Sequence, residues 1–336
     1  MALSKDNTYI LQRLTALWAL NESGLGGFMH ALNLSFSGIL VGGISIICIS
    51  LIAYFSTTKF KSITKALTIV LLIKLAVSPH SPLTAYFAVV FQAFTGILIF
   101  YLLAFRNISF LLLGMLTFAE SALQKLLTLT IIYGMSLWEA LDFYGKWVSE
   151  TLRFLPNIQT SKLLMVLFVS VYAFLGLSTG IYISSLIKRI KAIDAVGTYQ
   201  LTIKKYQKQA TTRKSKRNKR LIFWVLTIVF LSIAFIYLDN NSSGWFKALN
   251  VIIRSLAILF IWLFFVSPLL MKFLKKILEK RQSIYQQEID QALFLFPYLK
   301  SVVSIAWKAS KAKKGLFRLS EFLTNCILYS LFFKIG

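Results

Sequence analysis

Four charged side chains stand inside apolar stretches where a lipid bilayer would reject them. Lys74 lies in IVLLIKLAVSP, Glu120 and Lys125 lie in FLLLGMLTFAESALQKLLTLTIIYG, and Glu22 interrupts LTALWALNESGLGGFMHAL. An ionised group at mid-bilayer costs about 2.5–3.5 kcal/mol on insertion scales, so such groups face a polar cavity or a charge partner. Their chemistry is recognition, and a site that binds or transports a small molecule is the expectation they raise.

The spacing of the neighbouring polar residues extends this expectation. Thr117, Glu120, Ser121, Gln124 and Thr128 fall on one face of a single helix. Such a stripe either lines a cavity or forms hydrogen bonds to adjacent helices. Lys125 borders it and has the reach to approach the outer surface. Ala85, Ala88, Gln92 and Gly96 share a face of the preceding span. That face predicts a close neighbour around Gln92, with the Glu120 helix supplying partners for its amide.

Lys74 has two readings: it snorkels to the outer headgroups, or its ammonium pairs with Glu120 or with a ligand carboxylate. The opposite signs of Lys74 and Glu120 predict a common polar cavity. His80, in the turn SPHSP, and His30 are expected near the mouth of this site, with Tyr86 just inside the next span. Thr15, Ala19, Ser23 and Gly27 recur every four residues, a small-residue ridge suited to close helix packing, and Glu22 borders it facing protein. Mixed charge at the site points to a zwitterionic or carboxylate-bearing solute.

The elements that must position these residues are helices. Of the 336 residues, 57% are hydrophobic and only 15% charged, with a mean hydropathy of +0.71. The apolar residues come in blocks, and a crossing helix needs about 20 of them. The expected fold class is therefore all-α, a polytopic membrane bundle of about eight transmembrane helices. The expected spans are 11–31, 36–56, 63–78, 83–105, 108–134, 162–187, 221–238 and 248–271. A further helix over 316–333, with Arg318, Glu321 and Asn325 opposite a Leu- and Phe-rich face, is expected to lie in the inner interface or to cross as a ninth span.

The net charge of +25 follows the same plan. Lys59, Lys61, Lys65, Arg106, the run KKYQKQATTRKSKRNKR and Lys272–Arg281 all fall on one side if both termini are cytoplasmic. The basic surplus is thus assigned to cytoplasmic loops and to membrane lipid, not to nucleic acid, whose recognition motifs are absent. The organisation is expected to be a six-span domain over 1–187, a basic cytoplasmic linker over 188–220, a transmembrane hairpin over 221–271, and a cytoplasmic or interfacial helical tail over 272–336. Cys48 and Cys326 offer neither a disulfide framework nor a metal site. LTALWAL, cut short by Asn21 and Glu22, is expected to remain as the first helix and not to be cleaved as a signal. No cofactor-binding, metalloprotease, serine-hydrolase or P-loop pattern occurs, so no enzyme activity is expected.

Residues 1–187 resemble the membrane-embedded substrate-binding subunit of energy-coupling-factor transporters. The resemblance rests on six spans with both ends cytoplasmic, the ridge Thr15, Ala19, Ser23 and Gly27, and the long outer loop LWEALDFYGKWVSETLRFLPN. It implies a bacterial inner-membrane location and a vitamin-like ligand entering from the outer side. It also implies a first-helix ridge docked on a transmembrane coupling subunit, and ATP-hydrolysing partner subunits.

The function read from the sequence is binding or transport of a small polar solute. Glu120, Gln124 and Lys125 line the expected site, Lys74 and Gln92 stand opposite, and Glu22 is a secondary candidate. The alternative is a non-transporting membrane scaffold that recruits partners through its basic loop and tail.

Overall fold

A computed structural model describes residues 5–31, 37–78, 81–152, 159–192, 202–203 and 243–335. These residues are almost wholly helical. The chain begins with α1 (Lys5–Leu20), a π-helical turn (Asn21–Leu25) and α2 (Gly26–Ala31), which form one continuous helical path. There follow α3 (Ser37–Phe55), α4 (Lys59–Val77), α5 (Leu83–Leu102), α6 (Asn107–Tyr133), α7 (Ser136–Leu152) and α8 (Thr160–Ala192). After them come α9 (Ser243–Ile261), a second π-helical turn (Trp262–Val266), α10 (Ser267–Gln282), α11 (Gln286–Ala309) and α12 (Gly315–Phe332). Two residues, Lys334–Ile335, pair in parallel with Thr202–Ile203.

Among the described residues, six helices are long and apolar enough to cross a membrane: 38–55, 83–102, 107–133, 160–191, 249–282 and 286–312. The expectation of eight spans is corrected in two places. The first expected span carries Arg13, Asn21 and Glu22 and bends through a π turn, so its apolar run is too short. The third, α4, is 19 residues long but includes Lys61, Lys65 and Lys74. The span expected over 221–238 lies outside the described residues. In the other direction, α11 joins the candidates, although the sequence predicts a cytoplasmic or interfacial tail over 272–336. The outer loop expected over 135–161 contains the helix α7.

The chain divides into two compact units, 1–118 with 175–212 and 274–336, and 119–174 with 213–273. In the first, α3 is central. Ile46, Ile49 and Ile52 of α3, Leu14 and Trp18 of α1 and Ile63 and Ile73 of α4 are all buried. Apolar area removed from water contributes roughly 25 cal/mol per Å², but lipid offers apolar side chains an equally apolar solvent. Close packing therefore matters more here. Gly114 of α6 and Gly176 of α8 meet backbone to backbone, and a Cβ on Gly180 would lie 2.6 Å from the Phe110 carbonyl oxygen. No side chain larger than hydrogen fits that crossing.

One end of this unit gathers basic residues. Lys59 stands 5.5 Å from the Phe105 ring and Lys191 stands 5.9 Å from that of Tyr54, with Tyr54 and Phe105 themselves 5.6 Å apart. Both ends of α11 are tied to residues near this end. Glu288 pairs with Lys65 of α4 at 2.7 Å. Just beyond the other end, Lys313 reaches Glu321, which also pairs with Arg189 at the end of α8, each at 3.2 Å. The C-terminus is anchored on α1: Arg13 donates to the Leu331 and Phe333 carbonyls at 2.9 and 2.6 Å, with its guanidinium between the Tyr9 and Phe333 rings.

In the second unit, Asp142 of α7 caps the start of α8, accepting from the Ser161 amide at 2.7 Å and from its hydroxyl at 2.8 Å. Gly134 ends α6 with φ +71, a conformation that suits glycine. The guanidinium of Arg254 on α9 lies against it, favourably placed at a helix C-terminus.

Candidate functional site

The π turn Asn21–Leu25 begins the site. A π turn widens the helix and occurs often at functional positions. Here it carries three consecutive polar side chains, Asn21, Glu22 and Ser23, all buried. Ser23 returns its hydroxyl to the Ala19 carbonyl at 2.6 Å. Asn21 and Glu22 turn toward α3, where the Ser45 hydroxyl links them. It donates to Glu22 Oε1 at 2.6 Å and accepts from Asn21 Nδ2 at 3.0 Å. Asn21 Nδ2 also donates to the Val41 carbonyl at 2.8 Å. A carbonyl only accepts, so this bond assigns the amide orientation and leaves Oδ1 as the free end.

Lys74 of α4 completes the centre. Its Nζ donates to Glu22 Oε2 at 2.6 Å and to the Ala85 carbonyl at the start of α5 at 3.2 Å. The side chains are 1% and 3% exposed. Removing two charges from water costs several kcal/mol each, and only close pairing with further hydrogen bonds offsets that. This pair has the distance and the extra bonds. Tyr86 lies alongside, its ring centroid 5.5 Å from Nζ. Gln92, two turns further along α5, borders Gly42 of α3, where an added Cβ would sit 3.1 Å from Nε2.

Three buried polar atoms in this cluster have no hydrogen-bond partner: Asn21 Oδ1, Tyr86 Oη and Gln92 Oε1. An unmet buried polar group costs about 1–3 kcal/mol. Two amide acceptors and a phenol thus stand unmet on the helices that hold an ion pair whose charges cancel.

The structure joins Glu22, Lys74, Tyr86 and Gln92 in one unit. Lys74 neither snorkels nor pairs with Glu120, because Glu22 occupies its ammonium. Gln92 borders Gly42 of α3, and Gly96 of the same helix approaches α6 through Leu113. Thr15, Ala19 and Ser23 are buried within the chain, and the hydroxyls of Thr15 and Ser23 bond to their own helix. These three ridge residues are therefore internal packing and not an exposed face for a coupling subunit. Gly27 lies beside Ser78, whose hydroxyl would be 2.8 Å from an added Cβ. His80 lies outside the described residues, as does the side chain of His30.

Glu120, Gln124 and Lys125 belong to the other unit. Lys125 donates to the Tyr172 hydroxyl of α8, and the Thr128 hydroxyl returns to the Gln124 carbonyl at 2.7 Å. Neither oxygen of Glu120 has a partner. Sequence reasoning missed Asn21 and Ser45 as site residues. Two adjacent polar residues, Asn21 and Glu22, inside an apolar helix were the available signal. Among the described residues no cluster of three or more His, Cys, Asp or Glu side chains could hold a metal. No family model, curated protein or solved structure matches the chain.

Proposed function

We propose that this integral membrane protein binds a small polar solute at the cluster formed by Asn21, Glu22, Ser45, Lys74, Tyr86 and Gln92, as the recognition step of solute uptake. The observation that carries the reading is the set of three buried, unpartnered polar atoms on the helices that hold a closed ion pair. Small-molecule sites are mostly apolar, with a few convergent polar groups that set orientation. The buried aliphatic side chains of α3 and α4 supply the apolar part.

The internal pairing changes the expected ligand chemistry. An incoming carboxylate would have to displace Glu22 from Lys74, whereas a hydrogen-bonding solute without net charge would engage the unmet atoms directly. The basic end of the first unit supports a cytoplasmic placement of that end, and with it of both termini.

A solute-screened thermal-shift experiment on the purified protein tests the reading, because a ligand that binds only the native state raises its stability. A solute that raises Tm in the wild type and loses its effect in Tyr86→Phe and Gln92→Leu supports the site. A ligand shift that survives both substitutions would move recognition elsewhere. A purely structural ion pair predicts no solute-dependent shift at all.

A further inference from the structure

Glu120 stands at the midpoint of the 27-residue α6, which is long and apolar enough to cross a membrane. At 1.5 Å per residue, it lies about 20 Å from either end of that helix. Both carboxylate oxygens are sealed from solvent, and neither meets a hydrogen-bond donor. Its neighbours on the polar stripe, Ser121 and Gln124, are already engaged in contacts of their own. Lys125, the one cation close to it on the same helix, gives its ammonium to Tyr172.

The other charged groups whose side chains are described in this unit are committed or exposed. Asp142 of α7 caps α8 through Ser161, and Arg254 of α9 lies against Gly134 at the C-terminal end of α6. Glu139, Lys146 and Glu150 are exposed on α7, Lys162 is exposed in the first turn of α8, and Lys272 is exposed on α10. None of them pairs with Glu120.

An ionised carboxylate in low dielectric without a partner is unfavourable by several kcal/mol, and a group so placed takes up a proton instead. We propose that Glu120 is a proton-binding site within the membrane span, its side chain holding H⁺ as a neutral carboxylic acid at neutral pH. Binding is the simple equilibrium of carboxylate and H⁺ with the acid, and needs no other reactant. The ligand is the proton, and the assignment does not depend on the solute cluster of the first unit.

Dicyclohexylcarbodiimide tests this on the full-length protein in detergent. The reagent enters apolar surroundings and reacts with the protonated acid: the carboxyl oxygen bonds to the carbodiimide carbon and the acid proton moves to nitrogen. The adduct then rearranges to a stable N-acylurea that peptide mass spectrometry locates. The expected result is modification at Glu120 at pH 7, unaffected by added sodium. Once the pH exceeds the group's pKa, modification falls by about tenfold per pH unit. A water-soluble carbodiimide with an amine should modify exposed Glu139 and Glu150 and leave Glu120 untouched.

Glu120→Gln, which imitates the neutral acid, should lose the label and unfold at the wild-type denaturant concentration at pH 7. An unmodified Glu120 would overturn the assignment. Protection by sodium would overturn it in favour of a metal-cation site. A marked loss of stability in Glu120→Gln would show that the ionised form is the native one.

Discussion

The Lys74–Glu22 pair makes the most demanding prediction. Both side chains are buried to within a few per cent, the N–O distance is 2.6 Å, and Ser45 holds the second carboxylate oxygen. Lys74→Met removes the cation and leaves Glu22 buried and uncompensated; breaking such a pair costs about 3–5 kcal/mol. Glu22→Gln keeps an acceptor for Ser45 but strands the ammonium, which retains only the Ala85 carbonyl, and should cost a similar amount. With both charges gone, the double variant has no stranded ion. Replacing a buried pair by neutral groups is often close to neutral, so the double variant should recover at least about 2 kcal/mol relative to the sum of the single losses. Reversible unfolding in mixed detergent micelles, followed by tryptophan fluorescence for all four proteins, measures the coupling. A coupling below about 0.5 kcal/mol would mean the losses are additive and would refute the pair as a stabilising contact. Glu120→Gln combined with Lys74→Met serves as the control and should be additive.

Four further outcomes follow from the contacts described. Gly114→Ala and Gly176→Ala should each destabilise the protein by about 1–3 kcal/mol or more, because the added methyl meets backbone at the α6–α8 crossing, and the same unfolding assay reads this. Arg13→Ala should release the Leu331 and Phe333 carbonyls and speed proteolytic trimming of the C-terminus, while Lys311→Ala, on an exposed turn, should not. The hydrogen bond from Arg189 holds the Glu321 carboxyl below its ordinary range, with Lys313 adding to it and burial opposing it. The resulting stabilisation, under about 1 kcal/mol for so exposed a pair, is present above the ordinary carboxylate pKa and fades as pH falls through the lowered one, and Glu321→Gln should abolish this acid-range dependence. Finally, cysteines at Asp290 and Lys311, near opposite ends of α11, should be equally shielded from an impermeant thiol reagent in intact cells while one at Tyr144 is labelled. Opposite behaviour at 290 and 311 would place α11 across the bilayer.

Helicity and membrane character were legible from the apolar blocks, because a chain in lipid must satisfy its backbone internally and only a helix does so within one segment. Local spacing also drew attention to Lys74, Gln92 and Glu22, since charge or amide in an apolar helix is conspicuous whatever its neighbours.

Their pairing was not legible. Lys74 meets a residue 52 positions away, and which carboxylate it meets depends on how α1 and α4 are turned against α3. The spacing already turned Glu22 toward protein, but the π turn at Asn21–Leu25 adds a residue that a wheel of 3.6 residues per turn does not carry, so the partner Glu22 meets was not readable from it. The apolar density of α11 likewise could not reveal that both its ends are tied near the basic end of the first unit. A one-dimensional pattern specifies which face of a helix is polar; only the register and rotation of packed helices specify what that face touches. The sequence by itself determined the helical, apolar character of the chain and the inventory of unusual side chains. Tertiary structure decided that Glu22 and Lys74 neutralise each other while Glu120 stands without a partner.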